Sequence, residues 1–352
     1  MAMPQFIKGR KIKFAVVGCG RIAKNHFISI EKFKDDAELI AVCDTNEEAL
    51  RRATSELGVP GFSTLSEMLQ NSDFDAAILC TPSGLHAQQA IECFKAGRHV
   101  ITEKPMATHW EDGVAMTKAA DQANKFLFVV KQNRLNPTLQ LLKEAITLNR
   151  FGQIYMATLN VFWTRPQDYY DQAPWRGTWK LDGGAFMNQA SHYVDLLDWL
   201  VGPVEAVHSL TATLARKIEA EDTGIMVGRL KGGGIASMNV TMLTYPKNLE
   251  GSITLIGETG TVRVGGLAVN EIQHWQFSSP HSMDEMVKSA SYETTSVYGI
   301  GHPLYYRNVI AALRGEEPPS TDGREGLKSL GLLSAIYDSA RNGQPVTPPR
   351  HD

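Results

Sequence analysis

Apolar residues along this chain recur with two different periods, and the change from one to the other divides it. In the first third, short largely apolar runs at 14–17, 38–43, 76–79, 99–102 and 127–130 alternate with stretches of helical periodicity at 24–33, 47–57, 65–70, 86–96 and 110–124. A run that is apolar at nearly every position fits a strand buried on both faces, as in a parallel sheet covered by helices. Gly58 and Gly97 stand where two of the helices should stop. Five such strands with helices between them predict a doubly wound α/β sheet.

From Gln153 the period falls to two. Over 154–164, Tyr155, Ala157, Leu159, Val161 and Trp163 share one face while Thr158 and Asn160 share the other. Similar half-buried strands are expected at 204–214, 224–230, 235–243 and 252–256, the last turning through Gly257-Glu258-Thr259-Gly260 into 261–264 as a hairpin. One helix, 191–200, interrupts them before Gly202-Pro203, and two more close the chain, one running from Gly301-His302-Pro303 to Leu313 and one ending at Arg341. The division expected is therefore 1–136, a parallel α/β domain, and 137–352, an α+β domain with a largely antiparallel open sheet. An open sheet needs a cover. A second copy of the chain is the simplest one, so a homo-oligomer is expected, with a tetramer as the anticipated form.

Composition alters this picture little. The chain has 352 residues, enough for two domains, with 43% hydrophobic and 21% charged residues and a formal net charge of −3. That charge provides no footprint for nucleic acid or an anionic membrane, and no run approaches transmembrane length. Residues 1–13 are basic but lead into no apolar signal core and are expected to form a flexible tail. Cys19, Cys43, Cys80 and Cys93 form no C-x-x-C pair and suit buried small hydrophobes, which makes the cytoplasm the expected compartment.

The first apolar run breaks into Gly18-Cys19-Gly20-Arg21-Ile22-Ala23 and then a helix. Strand, G-x-G-x-x-A and helix in that order turn backbone amides and a helix N-terminus toward a pyrophosphate, the arrangement of a Rossmann domain. Gly18 would permit the turn, Gly20 the approach of phosphate, and Ala23 close packing of helix on strand. The second strand ends at Asp44, where a carboxylate can grip an adenosine ribose and repel the 2′-phosphate of NADP. NAD is therefore the expected cofactor, and Arg21, Arg51 and Arg52 are the cations that would reverse this choice. An Asp that merely caps the next turn is the structural alternative.

Further candidates stand where strands end. The third apolar run empties into Thr81-Pro82-Ser83-Gly84-Leu85-His86, the fourth into Glu103-Lys104-Pro105 and the fifth into Lys131-Gln132-Asn133-Arg134, places where this architecture holds ligands. Lys104 can take a hydroxyl proton as hydride leaves carbon, if its pKa is lowered by burial and a positive nicotinamide ring. A surface lysine paired with Glu103 is the alternative. Asn188 and His192 lie four residues apart, with Asp195 near enough on the same stripe to orient the imidazole; a helix cap by Asn188 and a satisfied core histidine are the structural alternative, and these residues alone favour it. Arg165, Tyr169, Trp175 and Arg176 lie in a stretch dense in aromatics and guanidinium groups, suited to a nucleotide, a sugar ring or a packed lid. No metal-ligand spacing is evident, and no metal is expected.

Together, Gly18-Cys19-Gly20-Arg21-Ile22-Ala23, Asp44, Thr81-Pro82, Glu103-Lys104-Pro105 and His192-x-x-Asp195 resemble the Gfo/Idh/MocA oxidoreductases over nearly the whole chain. The triplet and the histidine helix are the specific signals. The resemblance implies NAD-binding residues among Gly18, Gly20, Arg21, Ile22, Asp44, Thr81, Pro82, Ser83, His86, Glu103, Lys104, Gln132, Trp175 and Arg176, and it shifts His192 toward an active-site role. The runs 102–108, 129–134, 160–166 and 244–251 are similar to one bacterial branch, whose members oxidise C3 of UDP-N-acetylglucosaminuronate on the route to diacetamido sugars of surface lipopolysaccharide. That likeness implies a nucleotide-sugar substrate held by Lys104, Arg165, Tyr169, Asn188, His192, Tyr245 and Asn248. Many relatives carry Asp where this chain has Asn188, and an amide cannot take a proton, so Lys104 with His192 is the better catalytic pair. Another sugar or polyol dehydrogenase of the same family is the first rival reading. A non-catalytic NAD-binding sensor, which would dispense with Lys104 and His192, is the second.

Overall fold

The structure is a computed structural model that describes residues 6–294 and 299–351. Burial follows the two periods read from the sequence. Six strands, β1 (Ile12–Val17), β2 (Ala37–Cys43), β3 (Gly61–Phe62), β4 (Ala76–Leu79), β5 (His99–Thr102) and β6 (Leu127–Val129), pair in parallel in the order β3-β2-β1-β4-β5-β6. β4 and β5 are buried at every residue, as strands covered on both faces must be. Helices α1 (Ala23–Lys32), α2 (Glu47–Leu57), α3 (Leu65–Asn71), α4 (His86–Lys95) and α5 (Trp110–Ala123) connect them. Local chemistry sets their ends: the Asn46 side chain caps α2, whose C-terminus turns at Gly58 with φ +66°, and the Thr64 side chain caps α3. Only β3 was not anticipated, because two residues carry no periodicity.

The second sheet has seven strands. They are β7 (Ile154–Phe162), β8 (Val204–Ala212), β9 (Thr223–Leu230), β10 (Ile235–Thr241), β11 (Glu250–Gly257), β12 (Gly260–Gly265) and β13 (Glu271–Phe277), in the order β13-β12-β11-β7-β10-β9-β8. All pairs are antiparallel except β7 with β10. Ala157, Leu159 and Val161 of β7 point into the core, where α8 (Ser191–Val201) packs on the same strand. The outward face carries Met156, Leu210, Ile225, Val227, Ile235 and Ile256, each exposed. β13 escaped notice because its residues are mostly solvated and an edge strand needs no apolar alternation. The helices α6 (Pro137–Thr147) and α7 (Gln167–Asp171) were also missed, although in α6 Pro at its start and buried Leu139, Leu142 and Ala145 form a readable stripe.

By contacts the chain forms two compact units, Met1–Val130 with His302–Leu327 and Lys131–Gly301 with Lys328–Asp352. A single cut after residue 136 does not foresee the return of 302–327. Thr321 accepts from the Val129 amide and donates its hydroxyl to the Val129 carbonyl, and the Tyr306 ring meets Phe14 edge-on at 5.8 Å. Such pairings, 192 residues apart in the first case, have no local signature. The N-terminal segment also differs from expectation over its described part. Ile7 is buried and donates its amide to the Leu313 carbonyl, while Arg10 forks onto Asp75 at 2.6 Å. Residues 1–5 of the expected tail lie outside the described residues.

Candidate active site

In the first unit the strand order reverses between β1 and β4, so the loops leaving these two strands flank the switch point of the sheet. Gly18 has φ +93°, and a Cβ there would lie 2.8 Å from the carbonyl carbon and oxygen of Cys80. Its lack of a side chain serves the fold. Gly20 is different, since an added Cβ would meet nothing within 4 Å. The space lies beside the N-terminus of α1, which no side chain caps and whose first turn holds no acidic residue. Arg21 is exposed and Ile22 half-buried next to it, and Ala23 is fully buried. An open cradle against uncapped helix amides fits the pyrophosphate of a dinucleotide.

Asp44 sits at the end of β2. Its carboxylate accepts from the Cys19 amide at 2.7 Å and from the Asn46 amide at 2.8 Å, so it shapes the glycine loop and also caps the next turn. At the end of β4, the Thr81 hydroxyl donates to Gln89 at 2.6 Å, Pro82 is half-buried and Ser83 is buried. His86 is buried, with Nε2 2.9 Å from the Thr81 carbonyl and Nδ1 3.0 Å from the Pro105 carbonyl. Both ring nitrogens thus face the protein, and the imidazole ties the end of β4 to the turn after β5. Burial lowers its pKa, opposed by those carbonyls.

That turn carries Lys104, half-buried, joined to Pro105 by a cis peptide. Glu103 is buried beneath it, accepting from the Lys104 amide at 3.1 Å and from His26 Nε2 at 3.0 Å. Burial alone would raise the Glu103 carboxyl, but hydrogen bonds and charge from His26 and His302 hold it well below the usual carboxylate range. A solvent-exposed Lys104–Glu103 pair, the alternative drawn from the sequence, does not describe this buried carboxylate.

In the second unit His192 lies buried on α8 with Nε2 3.1 Å from the Gln132 side-chain nitrogen. The amide donates to the unprotonated ring nitrogen. Asp195 does not serve as the expected orienting group. Arg134 engages both of its oxygens at 2.8 Å and Lys131 adds a contact at 3.0 Å, so burial, which would raise the carboxyl, is overcome and its pKa falls. Asn188 is not on α8 but on a π-helix, Ala185–Gln189, just before it. Its amide nitrogen donates to Asp182 and its oxygen accepts from Gln189 at 2.9 Å. A carboxylate at 188 would face the buried Asp182 carboxylate, so the amide is the side chain that this pocket accepts.

The aromatic and guanidinium stretch closes on the same π-helix. Arg165 donates to the Gln189 oxygen at 2.9 Å and stacks over Trp163 and Tyr169, and the Tyr169 hydroxyl accepts from Gln189 at 3.2 Å. Arg176 lies 4.3 Å from the centre of the Tyr169 ring and 5.5 Å from that of Trp175. Asn248 accepts from the Thr164 amide at 2.8 Å and so braces the strand end that bears Arg165. The structure therefore gathers Arg165, Tyr169, Arg176 and Asn188. Tyr245, on the turn of the cis Tyr245–Pro246 bond, is 93% exposed.

Sequence reasoning missed the acids that hold this half in shape. Asp222 accepts from the amides of Leu214, Ala215 and Arg216. Glu221 is buried, accepting from the Phe186 amide at 2.9 Å and the Tyr337 hydroxyl at 2.8 Å, and burial pushes its pKa up to about 7. Gly184 makes room for it, since a Cβ there would collide with the carboxyl at 1.6 Å. The adjacent pair Glu221-Asp222 at the start of a strand was the available signal. Among the described residues, His26, Glu103 and His302 also offer ligand atoms within 4.8 Å of one another, a grouping invisible in the sequence spacing.

Two family descriptions between them cover most of the chain. Residues 12–131 match the Gfo/Idh/MocA description "oxidoreductase family, NAD-binding Rossmann fold", and residues 143–347 match its C-terminal alpha/beta domain. The crystal structure of the WlbA dehydrogenase from Chromobacterium violaceum, in complex with NADH and UDP-GlcNAcA, is 64% identical over 100% of both chains, with a TM-score of 0.95. That of the Bordetella pertussis WlbA dehydrogenase, with the same two ligands, is 64% identical over 98% of this chain and 100% of its own, with a TM-score of 0.96. A curated relative, the myo-inositol 2-dehydrogenase of Thermotoga maritima, is 27% identical over 95% of this chain and 98% of its own length.

Proposed function

The chain belongs to the Gfo/Idh/MocA oxidoreductase family, and from that membership we propose that it is an NAD-dependent dehydrogenase oxidising the C3 hydroxyl of UDP-N-acetylglucosaminuronate to the 3-keto nucleotide sugar. The observation that carries the substrate is the whole-length identity with two dehydrogenases in complex with NADH and UDP-GlcNAcA. The open space at Gly20, the uncapped α1 and the Asp44 carboxylate support NAD as cofactor. When bound, NAD supplies the acceptor for the hydride from C3.

The protein's part is proton transfer and orientation. Lys104, as the free amine, takes the C3 hydroxyl proton while the carbonyl forms. His192, with its tautomer set by Gln132, orients that hydroxyl. Arg165 and Tyr169, held by Gln189, present a guanidinium and an aromatic face for a nucleotide diphosphate or uronate group. Asn188 hydrogen-bonds the sugar without drawing a proton from it, and Tyr245 and Asn248 complete the nucleotide-sugar contacts. Gln132, Trp175 and Arg176 extend to NAD. Such a ketone is the form that an aminotransferase can aminate, in keeping with a place in diacetamido-sugar and lipopolysaccharide synthesis.

The exposed apolar residues on the outward face of the seven-stranded sheet support a homo-oligomer, a tetramer in this proposal, and light scattering reads its mass. The four free thiols support a cytoplasmic site, and among the described residues no helix is long and apolar enough to cross a membrane.

The deciding assay follows NADH absorbance with UDP-N-acetylglucosaminuronate, with the free uronate and with inositols. Turnover on the nucleotide sugar alone is expected. Preference for an inositol would install the polyol reading, and bound NAD that no sugar reduces would install the sensor. Lys104→Ala should lower kcat by about 10²–10⁴-fold, and full activity would remove Lys104 as the base.

A further inference from the structure

The buried group behind Lys104 belongs to no step described so far. His26 lies on α1, three residues past the glycine loop, and is fully buried. Its Nδ1 is 2.7 Å from the Tyr306 hydroxyl and its Nε2 is 3.0 Å from one Glu103 oxygen. The second Glu103 oxygen accepts the Lys104 amide at 3.1 Å. His302 brings its Nε2 to 3.6 Å from the first oxygen and its ring edge-on to that of His26 at 5.6 Å. Tyr306 is fully buried, and burial drives its pKa well above the ordinary value, so its hydroxyl keeps its proton.

These contacts fix the direction of every proton. A tyrosine hydroxyl donates to Nδ1, which leaves the proton of a neutral imidazole on Nε2, and Nε2–H then donates to the carboxylate. The carboxylate in turn accepts the amide of Lys104. On the other side of the same turn, His86 contacts the Pro105 carbonyl at 3.0 Å. The peptide carrying Lys104 is thereby gripped before and after the residue, and one grip leads back to the helix that begins at the coenzyme loop. A carboxylate with a single well-placed donor could drift. One fixed by an oriented imidazole cannot without leaving a buried charge short of a hydrogen bond.

We propose that His26, oriented by Tyr306 and flanked by His302, is a positioning residue for Lys104, acting through Glu103 to set the turn from which the base reaches the substrate hydroxyl. This rests on Lys104 being the base. The role is geometric: no proton passes through His26, Glu103 or Tyr306 during turnover, and no metal is needed, although the ligand atoms of His26, Glu103 and His302 lie within reach of one ion.

The test compares His26→Leu, His26→Gln, Tyr306→Phe and Lys104→Ala in the full-length protein with NAD and the UDP-uronate. His26→Leu should reduce kcat by about 10- to 100-fold, with KM for the sugar and Kd for NAD changed by less than about threefold. Glutamine keeps a donor toward Glu103 and an acceptor toward Tyr306, so His26→Gln should recover most of the loss. Tyr306→Phe removes only the hydroxyl that sets the tautomer and should cost a smaller part of kcat; it carries the test if His26→Leu does not fold. Normal kcat in both His26→Leu and Tyr306→Phe, with Lys104→Ala inactive, overturns the positioning role and leaves the base in place. Full activity of Lys104→Ala overturns the base itself. A loss of kcat matched by an equal loss of NAD affinity would show a purely structural role and overturn the inference. So would a stoichiometric divalent metal in the purified protein whose removal abolishes turnover.

Discussion

Gly18, Thr81 and Lys104 stand at the ends of β1, β4 and β5 because a parallel sheet delivers its strand ends to one edge, whereas Arg165, Asn188 and His192 come from a loop, a π-helix and α8 that no sheet rule brings together. The second group is held by side chains. Asp182 holds Asn188, Glu221 holds the start of the π-helix, and Asp195 joins Lys131 and Arg134 beside His192. Even their carboxylates are held differently. Glu103 accepts from a histidine ring and a backbone amide on an otherwise backbone-built turn, while Asp195 answers two buried cations. Backbone topology suffices for the strand-end residues of the first unit, and the second unit depends on buried charge.

The largest effect that would expose this contrast is at Asp195. Asp195→Ala leaves Lys131 and Arg134 buried without their carboxylate and should destabilise the protein by about 3–5 kcal/mol, read by urea unfolding. A loss under about 1 kcal/mol would show that the charges do not organise the second unit.

Glu221 gives the next effect, with a pH signature. Its carboxyl is raised from 4.5 to about 7 in the folded state, so the protonated form favours folding. The stability it contributes is complete below about pH 4.5 and is lost as pH rises through about 7. Between pH 5 and pH 8 the native protein should lose on the order of 3 kcal/mol relative to Glu221→Gln, a neutral side chain of the same shape. Equal pH dependence of the two proteins would remove Glu221 as a constraint on the π-helix.

The smallest effect separates two glycines in the coenzyme half. Gly18→Ala meets both a positive φ and the Cys80 carbonyl and should cost about 1–3 kcal/mol of stability. Gly20→Ala meets no neighbouring atom, so its melting temperature should stay near that of the native protein while NAD binding weakens on the order of tenfold. If both variants lose stability alike and bind NAD alike, the open space at Gly20 is not the phosphate cradle.

The largely apolar runs determined the parallel sheet, and the alternation after Gln153 determined the second one, because strand burial writes its period directly into neighbouring residues. The positions of Gly18, Gly20, Asp44 and Lys104 were legible for the same reason, as each follows a strand end by a fixed few residues. Tertiary structure alone decided that Asp195 serves Arg134 and Lys131 rather than His192, that Asn188 answers Asp182, and that His26, Glu103, His302 and Tyr306 form one group. In that last group His26 and Tyr306 are 280 residues apart. A buried charge or hydrogen bond takes whichever partner the packed chain brings within about 3 Å, and residue order does not record that choice.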